Sequence, residues 1–149
     1  MTEVLFYHLT QSTLEEALPP LLEKSLQRGW NVVVQSGTEE RRDALDAHLW
    51  TWRDDSFLAH GTDRDPHPAD QPVLLTTGEG NANDARIRFV VDGASPPDLS
   101  AYERAVFLFD GHDADQLEAA RRHWKHMKTA GHSVTYWQQA EDRRWERQA

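Results

Sequence analysis

The side chains of this 149-residue chain equipped for metal or acid–base chemistry are its eight histidines and 25 acidic residues; it has no cysteine. His112, His123, His126 and His132 cluster in the last third, and His123 and His126 stand one helical turn apart, close enough to share a metal. Zinc sites need three or four ligands fixed by outer partners, and no H-E-x-x-H pattern supplies them; surface or core-edge histidines are the alternative. Val106-Phe107-Leu108-Phe109-Asp110 has the form of an apolar strand whose terminal aspartate holds magnesium beside a nucleotide. With Asp113 and nearby histidines it would suit a small metal-dependent nucleotide or phosphoester hydrolase, although either aspartate can instead cap the helix that follows. The phosphate-cradling loop such an enzyme needs is missing. At the first strand-to-helix junction the chain reads His8-Leu9-Thr10-Gln11-Ser12-Thr13, without the glycines that let backbone amides approach a phosphate. The only Gly-x-Gly, at Gly78 and Gly80, falls between two strands and reads as a turn. No G-x-S-x-G elbow is present, and the lack of cysteine removes thiolate metal sites, cysteine nucleophiles and disulfides. These residues assign no catalytic group, no metal site and no cofactor.

Recognition chemistry is better represented. In the segment from Ala114 to Ala130, helical spacing places Leu117, Ala120, Trp124 and Met127 within a sector of about 80°, with Arg121, Lys125 and Lys128 in the adjoining sector. An apolar seam therefore borders a basic stripe, with Trp124 at the border. Such a surface suits a peptide that carries carboxylates and an aromatic ring, because guanidinium pairs with carboxylate while a groove takes the ring. The alternative is a core tryptophan beside solvated bases. A second aromatic cluster, Leu49-Trp50-Thr51-Trp52 with Phe57, offers an apolar contact surface, and core packing is again the competing reading.

The elements that must position these residues follow from periodicity. Val4 to Leu9 reads as a strand, and a helix from about Thr13 to Arg28 carries Leu14, Ala17, Leu18, Leu21, Leu22 and Leu26 before Gly29 stops it. Pro19-Pro20 conflicts with that helix and predicts a start or a kink there. Trp30 to Gln35 reads as a strand, and Ser36-Gly37-Thr38-Glu39 as a capping box opening a helix that ends at Trp50 or Trp52. His60 to Pro72 is loop by composition. Val73–Thr76, Arg86–Val91 and Ala105–Phe109 are strands, the Ala114–Ala130 helix follows, and Ser133–Trp137 is a last strand. Residues 138–149 form a polar tail, docked or frayed, anchored by Trp145. Apolar strands interleaved with helices predict one three-layer α/β domain over residues 1–149, with a mostly parallel sheet covered on both faces.

The net charge of −9 argues against general binding to phosphate backbones. That charge is unevenly placed: residues 116–149 carry seven bases against four acids, a net of +3, which leaves −12 on residues 1–115. The basic end suits an acidic partner. Nothing at the N-terminus has the form of a targeting sequence, and no apolar run approaches the roughly 18 residues of a membrane span, so a cytoplasmic location is expected.

The motifs Val4-Leu5-Phe6-Tyr7-His8-Leu9, Leu49-Trp50 followed by Asp55-Ser56-Phe57-Leu58-Ala59-His60, and Ala120-Arg121-Arg122-His123-Trp124-Lys125 ending in Ala130-Gly131 resemble, in order and over nearly the whole chain, the chi subunit of bacterial DNA polymerase III. The resemblance implies a Rossmann-like fold without nucleotide, and an accessory role in the clamp-loader complex with no activity of its own. It implies binding to the acidic, phenylalanine-ending C-terminal tail of single-stranded-DNA-binding protein through Arg121, Trp124 and Lys125, with Lys128 as a neighbouring base. Trp50 and Phe57 match the surface that binds the psi subunit. Leu117 stands where the family carries a base one turn before Arg121, and the chain continues past the family's usual end near Trp137.

Overall fold

The computed structural model describes residues 2–52 and 58–149. In chain order its elements are β1 (Glu3–Leu9), α1 (Leu14–Gln27), β2 (Val32–Gln35), α2 (Glu39–Trp50), β3 (His60–Thr62), a 3-10 turn (Pro68–Asp70), β4 (Val73–Thr76), β5 (Ile87–Val90), β6 (Arg104–Asp110), α3 (Ala114–Thr129), β7 (Ser133–Gln139) and β8 (Trp145–Arg147). Among the described residues they form one sheet in the order β3-β4-β2-β5-β6-β1-β7-β8, parallel throughout except for β8. Strand alternation divides the core between its two faces. Leu5, Leu9, Val34, Phe89 and Leu108 meet Leu18 and Leu22 of α1 and Leu45 and Leu49 of α2 on one face. Val4, Phe6, Val33 and Phe107 meet Ala120 and Met127 of α3, with Leu99 and Tyr102 of the β5–β6 connection, on the other. This is the expected three-layer arrangement. No helix among the described residues is long and apolar enough to cross a membrane.

Helix α1 runs unbroken through Pro19 and Pro20. Its start is held by a capping box between Thr13 and Glu16. Pro19 has no N–H to give the carbonyl four residues back, which belongs to Glu15. The Glu15 carbonyl instead accepts from Nε2 of His48 on α2 at 2.7 Å. A neighbouring helix thus supplies a partner for the carbonyl that the proline leaves free, and the helix neither starts at the prolines nor breaks there.

Other boundaries moved for identifiable reasons. Helix α2 is capped by Thr38, whose hydroxyl accepts from Arg41 N at 3.2 Å, and not by Ser36, whose buried hydroxyl has no partner among the described residues. The stretch from His60 to Pro72, polar enough to read as loop, contains edge strand β3 and the 3-10 turn. Asp65 accepts from Thr62 N at 2.7 Å, and the fully buried Arg42 of α2 reaches Asp63 at 2.9 Å. These polar anchors, and not apolar periodicity, hold β3 in place.

Arg88 on β5 is completely buried and has no carboxylate partner among the described residues. Its Nε and one terminal nitrogen donate to Gln35 Oε1 at 3.2 and 2.7 Å, and that same nitrogen donates to the Gly78 carbonyl at 2.6 Å. The other terminal nitrogen donates to the Gly80 carbonyl at 2.9 Å and the Tyr102 hydroxyl at 3.0 Å. One guanidinium therefore ties the β4–β5 turn to the central strands and to the loop before β6.

The polar tail is docked. Strand β7 extends to Gln139, and β8 returns antiparallel to it, with Trp145 stacked on Tyr7 at 4.5 Å between ring centres. Gln139 is buried, and its Oε1 accepts from the backbone N–H groups of Thr10, Gln11 and Ser12 at 3.2, 3.1 and 3.0 Å. Its Nε2 donates to Ser12 Oγ at 3.0 Å, and its own carbonyl accepts from Thr10 Oγ1 at 2.9 Å. Gln139→Ala leaves three amides without their acceptor. Its expected cost is about 2 kcal/mol after water recovers part of the loss, read as a lowered urea midpoint with unchanged slope.

Candidate functional site

The sheet order brings β1 between β6 and β7, and α3 lies across these three strands. Helix α3 starts at Asp113, whose carboxylate accepts from Asp115 N and Gln116 N. It ends at Ala130, followed by Gly131 at φ +87°. Ala120 and Met127 are buried, Leu117 and Trp124 are half-buried, and Arg121, Lys125 and Lys128 are exposed. The helical pattern in the sequence is thus the pattern of the surface.

Where α3 passes over the edge of β6, β1 and β7, a cavity of about 560 Å³ opens. Leu117, Ala120 and Trp124 of α3 form one wall, Phe109 and His8 the floor, and Tyr136 with Ala149 the far side, with Arg121 and Lys125 at the rim. Trp124 stands edge-on to Phe6 at 5.5 Å and to Tyr136 at 5.8 Å, so it is wedged in one orientation. Glu118, the carboxylate on the same helix face, lies 3.6 Å from Arg122. Arg121 and Lys125 have no carboxylate partner among the described residues and face the cavity mouth as free cations. Lys128 lies outside the cavity, with its Nζ 4.9 Å from the centre of the Trp124 ring. It bears on the cavity through the tryptophan. An apolar, aromatic-walled pocket with a cationic rim is built to take a ring and a carboxylate together.

His8 and Tyr136 escaped the sequence reading. His8 Nδ1 lies 2.7 Å from the Tyr136 hydroxyl, and its ring packs on Phe109 at 5.0 Å. A Cβ at position 111 would collide with the His8 ring, so Gly111 is what allows the ring its place. Burial, then His112, lowers the His8 pKa, with Asp110 opposing, while burial raises that of Tyr136 against the pull of Arg121. The available signal was strand alternation, since His8 shares a face with Phe6; what the chain could not show was that β1 and β7 are neighbours.

Trp50 is at the far end of the sheet. At the C-terminus of α2 it is 57% exposed, the one large apolar side chain among the described residues that stands so far into solvent. Its ring lies 4.6 Å from that of His60. Phe57, its expected companion, lies outside the described residues.

The crevice where this fold class places nucleotides, at the C-terminal ends of β1 and β6, forms a second cavity of about 560 Å³. Its three junction amides are taken by Gln139, and Arg41 is held by Glu15 at 2.7 Å and Asp92 at 3.2 Å. Asp110 accepts from His112 N at 2.8 Å, and Asp113 is committed to its cap. Among the described residues no three His, Asp or Glu side chains converge as a metal set; His123 packs on Phe107 at 5.1 Å.

The comparisons with known proteins point to one family. The family described as "DNA polymerase III chi subunit, HolC" matches residues 1–135. A Pseudomonas aeruginosa protein named "DNA polymerase III subunit chi" is 28% identical over 139 residues, 90% of this chain and 94% of the relative. A Rickettsia prowazekii protein named "Probable DNA polymerase III subunit chi" is 28% identical over 100 residues, 67% of this chain but only 59% of that relative's length. The chain belongs to the DNA polymerase III chi subunit family.

Proposed function

We propose that this chain is a non-catalytic accessory subunit of DNA polymerase III that links the clamp loader to single-stranded-DNA-binding protein by holding that protein's acidic, phenylalanine-ending C-terminal tail. The observation that carries this reading is the pair of uncompensated cations, Arg121 and Lys125, over the cavity walled by Trp124, Leu117 and Phe109. Arg121 pairs with the terminal carboxylate, Lys125 with a preceding acid, and the cavity takes the terminal ring against Trp124. Lys128 holds the indole face and adds to the local positive potential. The apolar contribution of Leu117, at a position where the family carries a base, shifts the balance from charge toward ring burial.

The second contact is Trp50, which with Phe57 forms the surface for the psi subunit. The cavity sits by β1 and β7, and α2 by β3 and β4, about five strand spacings or roughly 24 Å away along the sheet, so both partners can be held at once. Trp50→Ala should reduce psi binding by at least tenfold, as expected of an aromatic interface anchor, in a protein that still melts cooperatively above the assay temperature. Pull-down of psi alongside a melting curve checks both.

The adaptor reading is tested by measuring binding to immobilised single-stranded-DNA-binding protein with and without its last ten or so residues. Binding that needs those residues and weakens as salt rises is expected, since exposed charges are screened beyond about 8 Å at physiological ionic strength. Equal binding to both forms would refute it.

A further inference from the structure

The proposed tail site accounts for Arg121, Lys125 and Trp124 but leaves the opposite wall of the cavity unexplained. That wall carries His8 and Tyr136, joined by a 2.7 Å hydrogen bond, on neighbouring strands β1 and β7. The groups around the imidazole are known from each packed element. Tyr136 comes from β7; the Phe109 ring from β6; Asp110, Gly111 and His112 from the turn after β6; and Arg121 and Lys125 from α3 at the cavity rim. Gly111 leaves room for the ring, which is held by the Tyr136 hydrogen bond and its packing on Phe109.

Resting on the adaptor reading, we propose that the His8–Tyr136 pair is a second recognition element for the acidic tail, specific for carboxylate ligands and strengthened by a proton. When His8 is neutral, the Tyr136 hydroxyl can donate its proton to Nδ1. When His8 is protonated, Nδ1 is itself a donor and must give its proton to the phenol oxygen. The Tyr136 hydroxyl then turns its own hydrogen toward the cavity, where a ligand carboxylate accepts it. No bond is broken; one proton is taken from solvent and one hydroxyl reverses direction. The imidazolium also adds a positive charge to a cavity already rimmed by Arg121 and Lys125.

The sign of the pH effect follows. In the unliganded protein, burial and the neighbouring His112 keep the His8 pKa below its ordinary value near 6.5, with Asp110 opposing. An anionic ligand favours the protonated form, so binding takes up a proton and, by reciprocity, acid tightens binding. The usable window is about pH 7.5 down to 5.5, above the range in which the ligand's own carboxylates titrate.

The test is a calorimetric titration of the full chain with an acidic peptide ending in phenylalanine with a free carboxylate, at constant ionic strength. Wild type should bind on the order of fivefold tighter at pH 5.5 than at pH 7.5, with proton uptake visible as buffer-dependent heat. His8→Gln should abolish the dependence and the uptake, and Tyr136→Phe should weaken the dependence, giving an independent reading should the glutamine variant not fold. A wild type without pH dependence, or a folded His8→Gln with the same dependence, overturns the proposal while leaving Arg121-dependent binding, and with it the adaptor reading, intact. Absence of Arg121-dependent binding at every pH overturns both.

Discussion

Arg88→Ala is expected to lower the unfolding free energy by about 4 kcal/mol. The guanidinium satisfies Gln35 Oε1 twice, the Gly78 and Gly80 carbonyls and the Tyr102 hydroxyl, all at 2.6 to 3.2 Å, with no exposure to water. Removing it leaves these acceptors unpaired at about 1–3 kcal/mol each, reduced by whatever water enters the space left behind. For a domain whose total stability lies in the range of roughly 5–15 kcal/mol, that is a large fraction, equivalent to a fall of roughly 10 °C in melting temperature. Arg88→Met separates the two physical contributions. It keeps the aliphatic stem, removes the buried charge and deletes every donor. If the hydrogen-bonded fork dominates, methionine costs about 3 kcal/mol; if desolvation of the charge dominates, methionine is neutral or stabilising. Denaturant titration of the three proteins decides, and the geometry favours the fork, because every N–H of the guanidinium has an acceptor.

The second large effect is on binding. Arg121→Ala should weaken the acidic tail peptide by on the order of 2 kcal/mol, about thirtyfold, with no loss of stability, since Arg121 is exposed and makes no ion pair with a described residue. Trp124 cannot be tested as cleanly. Its ring packs against Phe6 and Tyr136 and carries Lys128 on its face, so its removal disturbs the cavity wall as well as the contact. The arginine therefore isolates recognition from folding.

Much of this was legible in the chain. Helix α3 showed its apolar seam and basic stripe because both are local, set by spacing along one element, and the cavity rim is that stripe. The apolar strands read correctly because a parallel sheet covered on both faces leaves few polar positions in them. What failed to show depends on contacts distant in sequence. Helix α1 starts before Pro19 and continues through it, and the carbonyl that Pro19 leaves free is bonded by His48 on another helix. Strand β3 is hidden in a polar stretch because an edge strand can be held by Asp63 and Asp65, with little apolar burial of its own. Arg88 sat inside a strand pattern with no mark of its role, since its partners lie 8 to 53 residues away. Gln139 belongs to a tail that composition reads as polar, yet it fills the amides of the first junction 127 to 129 residues earlier. His8 needed β1 and β7 to be neighbours before it could be paired with Tyr136.

As a proposed coupling, this chi-family chain would hold its two partners at surfaces toward opposite ends of one sheet. The proposed recognition turns on Arg121 reading the carboxylate end of an acidic tail. Titration of wild type and Arg121→Ala with the same phenylalanine-ending peptide, free and amidated at its terminus, tests it most directly. Wild type is expected to prefer the free acid, and the alanine variant to bind both forms about equally and about thirtyfold more weakly than wild type binds the free acid. Equal affinities for wild type and Arg121→Ala would contradict it.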